Sequence, residues 1–188
     1  MTLTRHQKTG SVLGDPDPKA EEYLLKAMSY LYESPTAKAI LDALEKSDKQ
    51  FYVFVQQGCN AMFVHEEVAR QHGFDGGVII WDPVSTITAF AGDTPTMQSP
   101  AIALIHEAGH AYQWLKKNGW FMANVAQALG GSTEHKLNIE NDNITSNETP
   151  VAKELKEGTR KDYDASAPFG PAKRNYKAPY PLLPLGHG

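Results

Sequence analysis

Residues 99–115 constrain this chain more than any other stretch, and they read Ser-Pro-Ala-Ile-Ala-Leu-Ile-His-Glu-Ala-Gly-His-Ala-Tyr-Gln-Trp-Leu. A serine followed by a proline favours a helix start, because the hydroxyl can cap free N–H groups and proline fits the first helical position. The spacing of the apolar residues predicts one amphipathic helix. The run of apolar residues at 102–105 indicates that this helix is buried.

This predicted helix carries His106, Glu107 and His110. Residues four apart project from the same face of a helix, so His106 and His110 can both bind one ion. Glu107 lies beside that pair and is placed as a general base, which takes a proton from a metal-held water and later returns it to a leaving amine. The pattern predicts one catalytic Zn²⁺ per chain and a hydrolytic reaction, most often on a peptide bond.

A catalytic zinc takes three protein ligands and keeps one open position, so the third ligand must come from elsewhere. Glu148 is favoured, because it stands at the opening of a predicted helix and would be held firmly there. Glu154 and His135 are the alternatives. The full set of downstream candidates is Glu134, His135, Glu140, Asp142, Glu148, Glu154 and Glu157.

Hydrolysis through a tetrahedral intermediate also needs a donor for the developing oxyanion. Tyr163 is predicted for this catalytic role, with Arg160 on the same predicted helix and Tyr176 in the tail as alternatives. The residue types fit the role, but the spacing does not choose among the three.

The order of the predicted elements indicates an α+β fold, with helices packed on a small, mostly antiparallel sheet. Four helices are predicted at 19–33, 100–115, 120–129 and 151–163, and a further helix is predicted to begin at residue 35. The strands are predicted as a hairpin of 51–55 with 61–64, and as a strand at 76–83 with which 85–90 pairs. Residues 132–149 are polar and asparagine-rich, and they are predicted to form a loop or flap.

Length and composition predict one domain with two tails. Residues 1–18 are expected to be a flexible N-terminal tail, 19–165 the folded domain and 166–188 a proline-rich, irregular C-terminal tail. The net charge is −4 and no dense Lys/Arg stripe occurs, which argues against a nucleic-acid partner. The single cysteine, Cys59, excludes an internal disulfide.

No apolar run approaches the roughly 20 residues that span a bilayer, and the first residues lack the apolar core of a secretory signal. The chain is therefore expected to have no membrane span, and to be cytoplasmic unless it is exported by a route that reads no such signal. The expected partner is a protein substrate in extended conformation, which would add to an exposed strand edge within residues 78–90. The oligomeric state stays open.

Several motifs occur in an order that resembles the small zinc metalloproteases delivered by Gram-negative bacteria as effectors, typified by type III effectors of enteropathogens and plant pathogens. The resemblance spans about 76–164 and rests on Asp82-Pro83, Ser99-Pro100, the His106-Glu-Ala-Gly-His110 core, Asn147-Glu148 and Arg160-Lys-Asp-Tyr163. It implies a compact zincin-like domain that is secreted without a signal peptide and cleaves a protein in a target-cell cytoplasm. Two other functions fit the same core: a zinc amidase acting on cell-wall peptide or a small amide, and a non-catalytic metal-binding module.

Overall fold

The computed structural model describes residues 2–3 and 18–160. The predicted α+β class is confirmed, since helices pack against a small mixed sheet and a separate two-stranded hairpin is present. None of the helices in these ranges is long and apolar enough to cross a membrane. The predicted tail at 166–188 lies outside the described residues, as do most of the tail at 1–18 and both Tyr163 and Tyr176.

The helices follow the predicted positions closely in the first two thirds of the chain. They are α1 (Ala20–Leu31), α2 (Pro35–Glu45), the short α3 (Glu66–Ala69), α4 (Pro100–Lys116), α5 (Asn118–Leu129), α6 (Thr133–Asn143) and α7 (Thr149–Glu154). A 3-10 turn, Arg70–His72, follows α3, and a π-helical turn, Ile144–Glu148, joins α6 to α7. The strands are β1 (Thr2–Leu3), β2 (Phe51–Val55), β3 (Met62–Val64), β4 (Gly77–Trp81), β5 (Ile87–Ala91) and β6 (Thr94–Gln98).

The four-stranded sheet has the order β1-β2-β4-β3. Strand β4 runs parallel to β2 and antiparallel to β3, with Ile79 opposite Val53 on one side and Phe63 on the other. The predicted hairpin of 51–55 with 61–64 is therefore wrong, because β4 lies between the two strands. An apolar run buried on both faces of a sheet is typical of such a central strand.

Strand β5 pairs with β6 in an antiparallel hairpin, and not with β4 as predicted. The prediction of an exposed edge within 78–90 is consequently wrong for its first half, since β4 is paired on both sides. Strand β5 also makes a bridge to the chain after α7, in which Phe90 and Thr159 exchange both backbone hydrogen bonds at 3.0 and 2.9 Å.

Alternating residues of β2 and β4 send their side chains to two separate apolar clusters, as the two-residue period of a strand requires. On one face, Val53, Val55 and Ile79 join the main core, which α1, α2 and α4 complete. On the other face, Phe54 and Ile80 pack with a smaller cluster beneath α3. The central strands are thus covered on both faces.

Helix α4 is buried without interruption from Pro100 to Ala111, so the predicted amphipathic character is wrong. Helices α1 and α2, strand β4 and the α6 region all contact it, and none of its first three turns is left to solvent. The Trp81 indole N–H donates to the Pro100 carbonyl oxygen at 2.8 Å, which fixes the start of the helix. Near the end of α4, the Trp114 ring packs edge-on against Phe51, with the ring centroids 5.9 Å apart.

Residues 133–154 form one continuous helical stretch with a wider turn in the middle, where a loop or flap was predicted. That prediction is wrong because α6 is a polar helix that buries only Ile139 and Asn143, so it lacks the apolar period by which helices are recognised. The helix predicted at 151–163 ends early, at Glu154. The chain beyond it turns back towards the start of α4.

Candidate metal centre

Three ligand atoms from two helices converge at one point. His106 and His110 lie one turn apart on α4, and their Nε2 atoms are 3.1 Å from each other. A carboxylate oxygen of Glu140 on α6, Oε2, lies 3.3 Å from the His106 Nε2 and 3.4 Å from the His110 Nε2. Within the described residues, this triad forms a group that can hold a metal ion.

The spacing of these atoms fits the ligands of a single metal ion. Tetrahedral ligands bound to zinc at about 2.0–2.1 Å lie roughly 3.3–3.4 Å from one another. Both histidines are less than a tenth exposed, and two ring nitrogens that face each other in a buried place need a cation or a shared proton between them. The Glu140 Oε2 is also buried, and no described group makes a well-formed hydrogen bond to it. The residues therefore fit a divalent ion.

Glu148, the predicted third ligand, lies on the other side of the His106 ring. Its Oε2 is 2.7 Å from the His106 Nδ1, and its side chain is completely buried. Metal-binding histidines commonly donate their second ring N–H to a carboxylate, which fixes the orientation and tautomer of the ring. The structure thus brings Glu148 to the site in the place of a supporting residue, while Glu140 occupies the place of a ligand.

The two alternative ligands of the sequence analysis have other contacts. Glu154 accepts hydrogen bonds from the Thr36 N–H at 3.0 Å and the Thr36 hydroxyl at 2.7 Å at the start of α2, and from the Ser34 hydroxyl. His135 bonds through its Nδ1 to the Ser132 hydroxyl at 2.7 Å, at the start of α6. Neither belongs to the triad.

His110 has a supporting partner of its own. The Gln113 side-chain oxygen lies 2.8 Å from the His110 Nδ1, and the Gln113 amide nitrogen donates to the Ile139 carbonyl at 2.9 Å and to Asp142 at 2.8 Å. Because its amide is held at both ends, Gln113 presents a fixed acceptor to His110. The same contacts attach α4 to the segment of α6 that carries Glu140.

The close approach of α6 to α4 depends on Gly109, which lies between the two histidines. Asn143 donates to the His106 carbonyl at 2.8 Å, and Asn147 donates to the Asn143 side-chain oxygen at 2.8 Å. The π-helical turn brings residues five apart onto one side of the helix, so Asn143 and Glu148 can both contact His106. A side chain at position 109 would occupy the space of the Asn143 amide.

The carboxylates set the charge state of the site without its ion. Burial opposes protonation of His106, but the Glu140 and Glu148 carboxylates beside its two ring nitrogens outweigh burial and raise the pKa of His106 to about 9. Burial likewise opposes ionisation of Glu140, yet its two histidine partners hold its pKa well below the usual range. The site therefore attracts positive charge.

Glu107 is buried and belongs to neither network. Burial raises the pKa of Glu107, while the charges of His106 and His110 act in the opposite direction. A raised pKa makes a carboxylate a stronger base. This fits the role of general base that the sequence predicts.

Arg160, an alternative oxyanion donor in the sequence analysis, lies behind His106. Its Nε donates to the Glu148 Oε1 at 2.8 Å, its Nη2 donates to the Glu148 Oε2, and its Nη2 is 2.8 Å from the His106 Nδ1. Tyr163, the predicted oxyanion donor, lies outside the described residues and stays a prediction.

Three site residues were not recognised from the sequence in their observed roles: Glu140, Gln113 and Asn143. Glu140 was only one of several downstream acids, because the segment around it was predicted to be a loop. A usable signal was present in Ser132, which caps the helix by accepting from the His135 N–H at 3.5 Å and is followed by an acid in the first turn. With a helix there, Glu140 and Asn143 fall on one face.

Comparison of the chain with protein family models, with curated proteins and with solved structures gives no match.

Proposed function

We propose that this protein is a zinc-dependent endopeptidase, in which His106, His110 and Glu140 hold one Zn²⁺ and Glu107 is the general base. The observation that supports this most directly is the convergence of the three buried ligand atoms at 3.1–3.4 Å from one another. Two imidazoles and one carboxylate are the donor set of many catalytic zinc sites. This assignment replaces Glu148 by Glu140 as the third ligand.

Three ligands leave a fourth position for water and substrate, whereas a structural zinc site is closed by a fourth protein ligand. In the described residues the candidate group contains only the three side chains named above. When bound, the ion supplies Lewis acidity and lowers the pKa of water towards about 7. This favours an enzyme over a non-catalytic metal-binding module.

The chain's own acid–base group is Glu107. It follows His106 directly, so it projects about 100° further round the helix than that ligand. Its carboxylate takes the proton of the attacking water and then delivers it to the leaving amine nitrogen. Burial raises the pKa of this carboxyl group, which strengthens it as a base.

The substrate is proposed to be a protein segment in extended conformation that pairs with the outer edge of β6. Strand β6 leads directly into α4, through Gln98 and Ser99, and no other strand in the described residues pairs with that edge. Its residues up to Met97 are exposed or half-buried, and Pro95 is a residue that tolerates an edge position. Main-chain hydrogen bonds along such an edge bind substrates with little dependence on sequence.

The proposal for where the protein acts rests on the resemblance of its sequence to the bacterial effector metalloproteases. The order of motifs around residues 76–164 is similar to that of bacterial effector metalloproteases, which act on proteins in the cytoplasm of a target cell. On this basis the chain is a secreted effector or toxin that cleaves a host protein.

The test is hydrolysis of fluorescein-labelled casein by protein loaded with one equivalent of zinc. We expect cleavage that stops when 1,10-phenanthroline is added and resumes with added zinc. Glu107→Gln should lower the rate by roughly 10²–10⁴-fold while the zinc content is unchanged, and Glu45→Gln, at an exposed position on α2, should not change it. An unchanged rate in Glu107→Gln would contradict the mechanism. Cleavage of a small acylated amide but not of casein would replace the endopeptidase by an amidase.

A further inference from the structure

We propose that residues 156–160, here called the clasp, position the metal centre, and that Arg160 is the positioning residue that holds Glu148 against the Nδ1 of His106. The proposal rests on the proposed function, because it concerns the stability of the same metal site. It assigns a role to the charged pair of Glu148 and Arg160, which binds neither the ion nor the substrate.

The tautomer of His106 depends on the two groups beside its Nδ1, the Glu148 Oε2 at 2.7 Å, which accepts, and the Arg160 Nη2 at 2.8 Å, which can only donate. The same Arg160 Nη2 donates to the Glu148 Oε2. Coordination of an ion by Nε2 leaves the ring proton on Nδ1, which then acts as a donor. Glu148 is the one of these two groups that accepts, so its oxygen must stay in place for the ion to be held.

Hydrogen bonds from Arg160 and Gln98 keep Glu148 in place. Its carboxylate is completely buried, and a buried charge is costly unless it is paired and hydrogen-bonded. Arg160 pairs with it through both oxygens, in the fork geometry that suits a carboxylate. The Gln98 amide adds a third hydrogen bond to the Oε1 at 3.1 Å.

A reversal of the chain after α7 brings Arg160 to Glu148. After α7, Lys156 adopts a left-handed conformation with φ of 59°. The N–H groups of Lys156 and Glu157 bond back to Lys153 and Ala152 at 3.1 and 2.8 Å. This is a Schellman ending, which stops the helix and reverses the chain. Residues 157–160 therefore run back along the start of α4.

Residues 157–159 of the clasp each form hydrogen bonds with other parts of the fold. The Glu157 carboxylate accepts from the Ser99 N–H at 2.6 Å, the Ser99 hydroxyl at 2.7 Å and the Tyr30 hydroxyl at 2.8 Å. The predicted cap of α4 by the Ser99 hydroxyl is thus replaced by a hydrogen bond to a distant carboxylate. Thr159 pairs with Phe90 of β5, and the Gly158 carbonyl accepts from the Gln98 amide at 3.0 Å.

The consequence is that one short segment connects the start of the metal-binding helix, the hairpin and the second ring nitrogen of His106. Loss of the Arg160 fork leaves Glu148 as a buried charge without its main partner, and the carboxylate is then no longer held against His106. His106 thereby loses the acceptor that favours coordination through Nε2. The effect should be measured as weaker zinc binding by correctly folded protein.

The experiment measures zinc affinity by competition with a chromophoric chelator, and His106 tautomers by long-range ¹H–¹⁵N NMR of the zinc-loaded protein. Arg160→Gln should weaken zinc binding by roughly 10–100-fold and weaken or broaden the His106 Nδ1–H signal. Arg160→Lys, which keeps the charge but not the fork, should give a smaller loss and carries the test if Arg160→Gln does not fold. The matched control is Arg70→Gln, which breaks an arginine–glutamate pair with Glu66 on α3, and its zinc affinity should stay within about twofold.

A double-mutant cycle separates positioning from a general structural role. Glu148→Gln keeps an acceptor for the His106 N–H but removes the buried charge, so Arg160→Gln should cost little more in zinc affinity when made in that background. Losses that simply multiply would overturn the proposal, as would unchanged zinc affinity in a folded Arg160→Gln protein. If the unaltered chain binds no zinc, the proposed function fails together with this proposal. If it binds zinc and only the Arg160 predictions fail, the proposed function stands.

Discussion

Gly109 lies directly against Asn143, and this contact sets the distance between the helix that carries the two histidines and the helix that carries Glu140. A Cβ at position 109 would overlap the Asn143 side-chain oxygen, lie 3.0 Å from its Cγ and 3.1 Å from the Asn147 amide nitrogen. The neighbours are held by hydrogen bonds to His106 and to each other. These hydrogen bonds oppose a shift of the Asn143 and Asn147 side chains.

We therefore expect Gly109→Ala to destabilise the protein by about 1–3 kcal/mol and to weaken zinc binding, because Glu140 is displaced from the histidines. The matched control is Gly119→Ala on α5, where an added Cβ meets no atom within 4 Å. That variant should be neutral or more stable by up to about 1 kcal/mol, since alanine favours a helix. Urea unfolding of both proteins measures the difference, and equal stabilities would contradict the packing described here.

The second histidine depends on Gln113 for its orientation. Gln113→Ala removes the acceptor of the His110 Nδ1 and also the donor to Asp142. We expect zinc affinity to fall by roughly 10–100-fold, as is usual for the loss of a hydrogen bond behind a metal ligand. The exposed Gln127 on α5 gives a control, Gln127→Ala, that should bind zinc as the unaltered chain does. Equal affinities of the two variants would show that Gln113 does not orient the histidine.

Lys156 is a non-glycine residue in a left-handed conformation, with φ of 59°. Glycine adopts this conformation without steric cost, so Lys156→Gly should stabilise the protein by about 0.5–1 kcal/mol. Lys153→Gly, three residues earlier in α7, should instead destabilise it by up to about 1 kcal/mol, because glycine is unfavourable within a helix. Thermal unfolding of the two variants distinguishes them, and a loss of stability in Lys156→Gly would be contrary to the Schellman ending.

Glu154 links the end of the chain's last described helix to the start of α2. Burial opposes its ionisation, but the hydrogen bonds from the Ser34 hydroxyl, the Thr36 hydroxyl and the Thr36 N–H together outweigh burial and lower the pKa of Glu154 below 4.5. A lowered folded-state pKa means that the ionised form stabilises the fold above about pH 4.5, and that this contribution is lost as the pH falls through the folded pKa.

Glu154→Gln should therefore lower stability at pH 7 by about 1 kcal/mol, the usual value of a helix cap. The difference from the unaltered chain should shrink as the pH is lowered below about 4.5. Glu45→Gln, at the opposite end of α2, serves as the control and should show no such loss. Urea unfolding at a series of pH values measures both, and a difference that grows towards acid pH would refute the assignment.

The sequence predicted the helix that carries His106 and His110 well, because a Ser-Pro start, an apolar run and two histidines four apart depend only on local geometry. It did not predict the pairing of β4 between β2 and β3, since a buried apolar strand is compatible with either neighbour. It also assigned the polar residues 132–149 to a loop. Asn143 and Glu148 are buried because they form hydrogen bonds with His106 on α4, and such contacts cannot be read from the local sequence. The candidate triad contains Glu140, whereas Glu148 was favoured from the sequence, and the reason is the same: which acid lies next to the histidines depends on the packing of two helices.

The measurement that tests the central claim most directly is the zinc content of the purified chain and of two variants, Glu140→Ala and Glu134→Ala. Glu134 lies on the same helix at an exposed position and serves as the matched control. We expect about one zinc per chain in the unaltered protein and in Glu134→Ala, and almost none in Glu140→Ala after dialysis. Full zinc occupancy in a folded Glu140→Ala protein would contradict the metal centre described here.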